Sequence, residues 1–498
     1  MIGGAATRIA IALLLAAFAA PAVAAEASRP NVVFILADDL GYGDLSSYGS
    51  TDIRTPNIDR LAQEGVRFTE FYAAANTCSP SRAALMTGRY PPRSGVNAVL
   101  FHDTPEGLPA SELTIPELLR DAGYRTAMVG KWHLGNTDEF MPLNHGFDEF
   151  FGVAHSNDEA NFFVYDGHRR IPETVDQSQL IRRYTDRALD FLSRAARDDK
   201  PFFLYLAYNA PHVPLYPAKE FAGRSRHGTY GDVVEELDAS VGEVLAKIAD
   251  LGIEHETLVI FTSDNGPWLA MRDWGGSAGP LRGGKTSTFE GGQRVPALVR
   301  WPQHIPAASE AHGIADMMDW LPTLVELAGA QLPDDRPIDG RSLVRVLQGT
   351  GERDAAPFFY LSLRFPFADQ HHQVSAVRDG RWKLKLPQRG YPPLLEPLAK
   401  TELYWHGLLL FDLEADPGEQ HDVAAEHPDV VERLTKEIEA FDASLSPARP
   451  VLISAAPYDH TGWEKMWRGV AAAAAVVFGS AALLLLAGVL LFRRLRRR

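Results

Sequence analysis

Four oxygen-donor side chains sit in two adjacent pairs far apart in the chain, Asp38-Asp39 and Asp264-Asn265. Hard cations such as calcium or magnesium prefer that donor set. A zinc-thiolate site would need more sulfur, and Cys78 is the only cysteine in 498 residues. Either pair alone suits a cap or a turn equally well. Two such pairs, each following an apolar run, favour a shared ion.

Cys78 opens the stretch Cys78-Ser79-Pro80-Ser81-Arg82-Ala83-Ala84-Leu85-Met86-Thr87-Gly88. A lone cysteine cannot close an internal disulfide, and most free cysteines are small buried hydrophobes. Pro80 predicts a helix start, with Ser79 or Cys78 as its cap and Arg82 one turn further on the same face. A helix N-terminus flanked by an arginine fork collects anions. Other groups of that kind are Lys131 and His133 in Gly130-Lys131-Trp132-His133-Leu134-Gly135, and His212 in Ala210-Pro211-His212-Val213-Pro214. Lys285 lies in the glycine-rich Leu281 to Gly292, where backbone can approach an oxyanion closely. A lone lysine is usually just solvated, and His212 between prolines also suits a rigid turn. The Gly-Gly-Lys-Thr here is not a nucleotide phosphate loop, because no convincing strand precedes Gly279.

The elements that must position these groups are short apolar runs. Asn31 to Leu36 reads as a strand buried on both faces, followed by Asp38-Asp39. Thr55-Pro56-Asn57 starts a helix that Gly65 stops. Strands are expected at Arg125 to Val129, Pro201 to Tyr208 and Leu258 to Thr262, and an amphipathic helix at Asp232 to Ala249. Alternating helices and buried strands predict an α/β fold with a doubly wound, mostly parallel sheet. Sites in such sheets form beyond the carboxyl ends of the strands. Asp38, Asp39, Lys131, His133, His212, Asp264 and Asn265 are therefore expected on one rim. From about residue 355 short runs and turns predict a smaller α+β region: a hairpin across Asp379-Gly380, a strand at Leu408 to Leu413, and a helix around Val430 to Phe441.

The chain is 46% hydrophobic with 23% charged residues, which excludes disorder and suits one large or two unequal domains. A net charge of -15 leaves no basic footprint for nucleic acid. Residues 1–25 read as a secretory signal peptide: Arg8, an apolar run to Phe18, and a small-residue site at Ala22-Val23-Ala24-Ala25. Residues 469–492 carry no charge and are long enough to cross roughly 30 Å of hydrocarbon. The Arg-rich tail 493–498 would stay cytoplasmic. The expected order is signal 1–25, catalytic region 29–350, C-terminal α+β subdomain 351–445, linker 446–468, membrane helix 469–492 and tail 493–498. The protein would be exported and membrane-anchored, with its catalytic region on the periplasmic or extracellular side.

The Cys78 stretch resembles the sulfatase signature Cys-x-Pro-x-Arg followed by Leu-Thr-Gly, with Met86 in place of the leucine. Asp38-Asp39-Leu40-Gly41-Tyr42-Gly43-Asp44, Gly130 to Gly135, Ala210-Pro211-His212, Ser263-Asp264-Asn265-Gly266 and Gly284-Lys285 through Arg294-Val295-Pro296 look like the family's successive motifs, in the family's order. The wording of the last is most similar to the arylsulfatase A and N-acetylgalactosamine-6-sulfatase branch. The resemblance implies an alkaline-phosphatase-like fold and conversion of Cys78 to formylglycine (3-oxoalanine) by a separate maturation enzyme. It implies one divalent ion, calcium with magnesium as the alternative, held by Asp38, Asp39, Asp264 and Asn265 beside residue 78. The formylglycine would hydrate to a geminal diol that attacks sulfur, with Arg82 favouring its ionised form. Lys131, Lys285 and His212 would bind sulfate oxygens, and His133 would take the proton that lets sulfate leave. The implied substrate is a sulfated small molecule or sugar. Rival readings are a phosphonate monoester or phosphodiester hydrolase on the same fold, and a silent sulfated-glycan binding protein. The loops around Ser156 to Asn161 and His371 to Gln373 are expected near the pocket but carry no readable code, and read equally well as ordinary surface loop.

Overall fold

The computed structural model describes residues 29–159, 162–361, 374–387 and 407–445. The expected signal peptide, linker, membrane helix and tail, residues 160–161 and the loop at 371–373 lie outside the described residues. No helix among the described residues is long and apolar enough to cross a membrane.

An eleven-stranded sheet forms the large region. Across its middle run Arg294–Arg300, Thr257–Ser263, Asn31–Ala37, Phe202–Ala207, Arg125–Lys131 and Glu149–Val153. The last five of these are parallel to one another, and Arg294–Arg300 joins antiparallel. The doubly wound, mostly parallel expectation holds. Asn31–Ala37 explains why the run is apolar throughout. Val32, Phe34 and Leu36 enter the core on one face, while Val33, Ile35 and Ala37 enter the core on the other. Side chains alternate across a strand, so a strand covered on both faces can spare no polar position. The amphipathic helix, here Gly228–Asp250, buries Val233, Val234, Leu237, Val241 and Val244 in the second core.

The helix after the signature runs Cys78–Thr87, and its ten residues are all buried. Its cap corrects the expectation: Thr77 is the N-cap, in extended conformation, and no side chain caps the end. Pro80 sits inside the first turn, where its missing N–H would have had no partner in any case.

The C-terminal region is a four-stranded antiparallel sheet, Phe358–Leu361, Val374–Asp379, Trp382–Lys385 and Leu409–Asp412, backed by helix Pro428–Ser444. The expected hairpin turns at Gly380, with φ of 57°. This sheet meets the large region through a shared apolar core, with the Tyr72 and Phe358 ring centroids 4.8 Å apart, and through charge. Glu290 is fully buried, and its carboxylate accepts from Lys383 at 2.9 Å, Tyr360 at 2.5 Å and Tyr72 at 2.6 Å. Lys383 also meets Glu419 at 2.8 Å, and Glu419 accepts the backbone N–H of Glu290 at 2.6 Å.

Candidate active site

Strand register brings the site residues together. Ala37 is level with Ser263, Leu36 with Ala207, and Ala207 with Gly130, so the four central strands end on one line. The residues that follow them meet on one rim, as expected from the carboxyl-end rule. Cross-ties hold it: Asp38 N–H donates to Ala210 O at 3.0 Å and Asp264 N–H to Ala37 O at 3.1 Å. Gly130 permits the approach, since a Cβ there would lie 1.8 Å from Ala207 O. Asp39, His133 and Thr286 have φ of 65°, 62° and 73°, a conformation non-glycine residues seldom adopt. All three are site residues or next to one, the usual place for stored backbone strain.

The charges alternate in the resulting cluster. Lys131 donates to Asp38 at 2.6 Å and to Ser156 at 3.2 Å. Arg82 is fully buried, donates to Asp264 at 2.8 Å and to Lys131 O at 2.6 Å, and stands 3.6 Å from Asp38. Lys285 reaches Asp39 at 2.8 Å and Cys78 Sγ at 3.4 Å. Its ammonium also lies 4.6 Å from the Trp268 ring centroid, and Trp268 packs 5.6 Å from His212. His212 Nε2 is 3.6 Å from Asp39. Asn265 donates to Asp39 at 2.7 Å.

Burial sets the protonation states. It raises the Cys78 thiol, and although Lys131 and Lys285 oppose this, Asp264 and Asp38 reinforce it. An unmodified Cys78 is therefore a thiol and a poor nucleophile. Asp38 is held well below the usual carboxylate range: burial would raise it, and Lys131, His212 and Arg82 outweigh that. Asp264 is pushed up to about 7 by burial and by repulsion from Asp38. His133 is lowered well below its ordinary value by burial and by Lys131 and Arg82, so it is neutral and able to accept a proton. His212 is lowered too, by burial and by Lys285.

A divalent ion fits this chemistry. Donor atoms of Asp38, Asp39, Cys78 and His212 lie within 4.8 Å of one another, and Asn265 Oδ1 is buried without a hydrogen-bond partner. Asp264 is outside that tight group, its carboxylate turned to Arg82 and to the Asp39 N–H at 3.2 Å. Nine of the ten expected residues thus share contacts at one place, and buried His133 stands close enough for Lys131, Arg82 and Asp38 to act on its charge. Ser156, Trp268 and Asp158 join them. Burial would raise the Asp158 carboxyl, and His212, Ser156, Lys131 and Lys285 hold it low instead. Only Ser156 and Asp158 fell within a loop expected near the pocket, and nothing in the sequence marked Trp268.

Known proteins align along this same course. The sulfatase family profile matches residues 30–330, and the profile described as N-sulphoglucosamine sulphohydrolase, C-terminal, matches residues 284–444. Human arylsulfatase A is 42% identical over 473 residues, covering 88% of this chain and 91% of its own. Human N-acetylgalactosamine-6-sulfatase is 39% identical, covering 85% of this chain and 87% of its own. Among solved structures, Ps i-CgsB in complex with k-i-k-neocarrahexaose is 31% identical with a TM-score of 0.74, covering 84% of this chain and 94% of that one. The family implies a metal ion and a cysteine-derived formylglycine, and the buried Cys78 beside an acidic cluster fits both. With its signature helix, its rim of charge and these relatives all in agreement, the chain belongs to the sulfatase family of sulfuric ester hydrolases.

Proposed function

We propose that the protein hydrolyses a sulfate monoester, with a sugar or aryl leaving group, at residue 78 on this rim. The observation that carries the reading is the convergence of Lys131, Lys285, His212 and Arg82 on Cys78 and its acidic neighbours. A hydrated formylglycine at position 78 supplies an oxygen nucleophile, and the Cys78 Sγ marks its place. Calcium, held by Asp38, Asp39, Asp264 and Asn265 beside residue 78, supplies positive charge when bound. Lys131 and Lys285 bind sulfate oxygens, and Arg82 holds the rim's negative charge in place. His212 stands with Lys285 against the leaving-group oxygen. Neutral His133 takes the proton that must leave residue 78 before sulfate departs. Fixed charge in a site closed to water stabilises developing charge without reorganisation.

The name N-acetylgalactosamine-6-sulfatase and the neocarrahexaose complex support a sugar sulfate, and the name arylsulfatase A supports an aryl sulfate. The catalytic region is 29–350 with the subdomain 351–445 behind it. Export by the signal, maturation of Cys78 by a separate enzyme, and tethering by 469–492 complete the reading. Mass spectrometry of the residue-78 peptide, beside 4-nitrophenyl sulfate turnover by wild type and Cys78→Ala, tests it. Expected are an aldehyde or its hydrate at position 78, and loss of sulfate release in the variant. An active protein with an intact thiol overturns the mechanism. Calcium against magnesium is decided by metal analysis of the purified protein.

A further inference from the structure

A carboxylate that the site as described does not use stands behind His133. Glu159 is held by the backbone N–H of His102 at 2.6 Å and of Ser156 at 3.2 Å. His102 Nδ1 lies at 3.2 Å from it, and its Oε1 is 3.9 Å from both His133 Nε2 and His155 Nδ1. His133 is 1% exposed, and neither ring nitrogen has a hydrogen-bond partner among the described residues. Its backbone is pinned by N–H donation to Ala154 O at 3.0 Å, so the ring stays beside the Glu159 turn.

Protonating His133 places a third cation next to Lys131 and Arg82, both of which already oppose that charge. Asp38 favours it but is itself engaged by Lys131. Among the described residues Glu159 is the one carboxylate within ion-pair distance of the His133 ring. We propose that Glu159 is a positioning residue for His133: standing at ion-pair distance from the Nε2 edge of the ring, it stabilises the imidazolium formed when the proton from residue 78 arrives. The neutral ring becomes a cation as it takes the second hydroxyl's proton: that oxygen forms the aldehyde C=O, the C–O bond to sulfate breaks with its electron pair leaving on sulfate, and Glu159 supplies the matching negative charge. Burial and Asp158 push the Glu159 carboxyl up to about 7, opposed by His102 and Ser156, and a cation forming on His133 favours its ionised form. His155 and His102 are the other imidazoles facing it. The proposal rests on the reading that His133 moves this proton.

The test uses the full-length, formylglycine-bearing protein with Glu159→Gln, Glu159→Asp and His133→Ala. With 4-nitrophenyl sulfate, Glu159→Gln should keep its first-turnover burst while steady turnover falls on the order of tenfold to a hundredfold. Sulfate should then accumulate on the residue-78 peptide by mass spectrometry, and Glu159→Asp should recover part of the rate. Independently of turnover, the His133 imidazole, followed by NMR in the Cys78 form, should titrate lower in Glu159→Gln. Unchanged turnover and an unmoved imidazole overturn the proposal, as does an equal loss of burst and steady rate without retained sulfate. If His133→Ala fails to retain sulfate, the role of His133 itself is wrong, which is a separate failure.

Discussion

Two of the buried ionic clusters among the described residues, one on the rim and one at the joint with the C-terminal sheet, satisfy themselves to different degrees. At the joint, both oxygens of Glu290 are engaged, by Lys383 and Tyr360 on one side and Tyr72 on the other, with Arg294 at 3.6 Å. Those cations overcome burial and hold Glu290 down to about 2. The rim also carries several cations, yet among the described residues Asn265 Oδ1 and both nitrogens of His133 find no hydrogen-bond partner; at the joint Glu419 Oε1 and Arg294 Nη1 lack one too, but each faces an opposite charge, Lys383 at 2.8 Å and Glu290 at 3.6 Å. It also holds a carboxyl, Asp264, raised to about 7. Charge that closes on itself fastens two pieces of protein. Charge left open is aimed at something that arrives later.

The sharpest way to break this contrast is to remove a rim cation. Lys285→Ala should lower kcat/KM for a sulfate ester by roughly 10²- to 10³-fold, while the urea midpoint moves far less. A loss of stability matching the loss of activity would make the rim a fastener too. The converse change is Lys383→Met at the joint, which leaves Glu290 and Glu419 buried without their shared cation. It should cost about 3–5 kcal/mol in equilibrium unfolding, and Glu290→Gln in the same chain should recover part of it.

Acid tests the joint without mutation. Glu290 titrates lower in the folded protein than its ordinary 4.5, so its contribution is fully present above that value. It is lost as pH falls from 4.5 toward about 2. The unfolding midpoint should therefore drop through that window, with a shallower slope in Glu290→Gln. An equal slope would place the acid sensitivity elsewhere. The smallest effect belongs to an ion pair outside both clusters: Lys436, 2.6 Å from Glu432 on an exposed helix face, should change stability by about 0.3 kcal/mol when replaced by alanine.

The sequence was most readable where local pattern and topology agree. Apolar runs located the central strands, and the rule that sites lie beyond carboxyl ends gathered Asp38, Lys131, His212 and Asp264 before any contact was known. The cap at Thr77 was missed because a proline was read as the helix start, although it fits anywhere in the first turn. The joint was invisible for another reason. Glu290 and Glu419 are 129 residues apart, and neither carries a local signal that it will be buried. Glu159 is similar: in sequence it is one more acidic residue in a loop, and only folding sets it against His133 and His102.

The single buried cysteine gives the protein a built-in gauge of its own maturation. Thiol reagents reach Cys78 only once the chain is unfolded, and no other residue can consume them. If Cys78 is converted as proposed, the thiol count of denatured protein falls from one per chain toward none. Any preparation can be graded by colour alone, before its substrate is known.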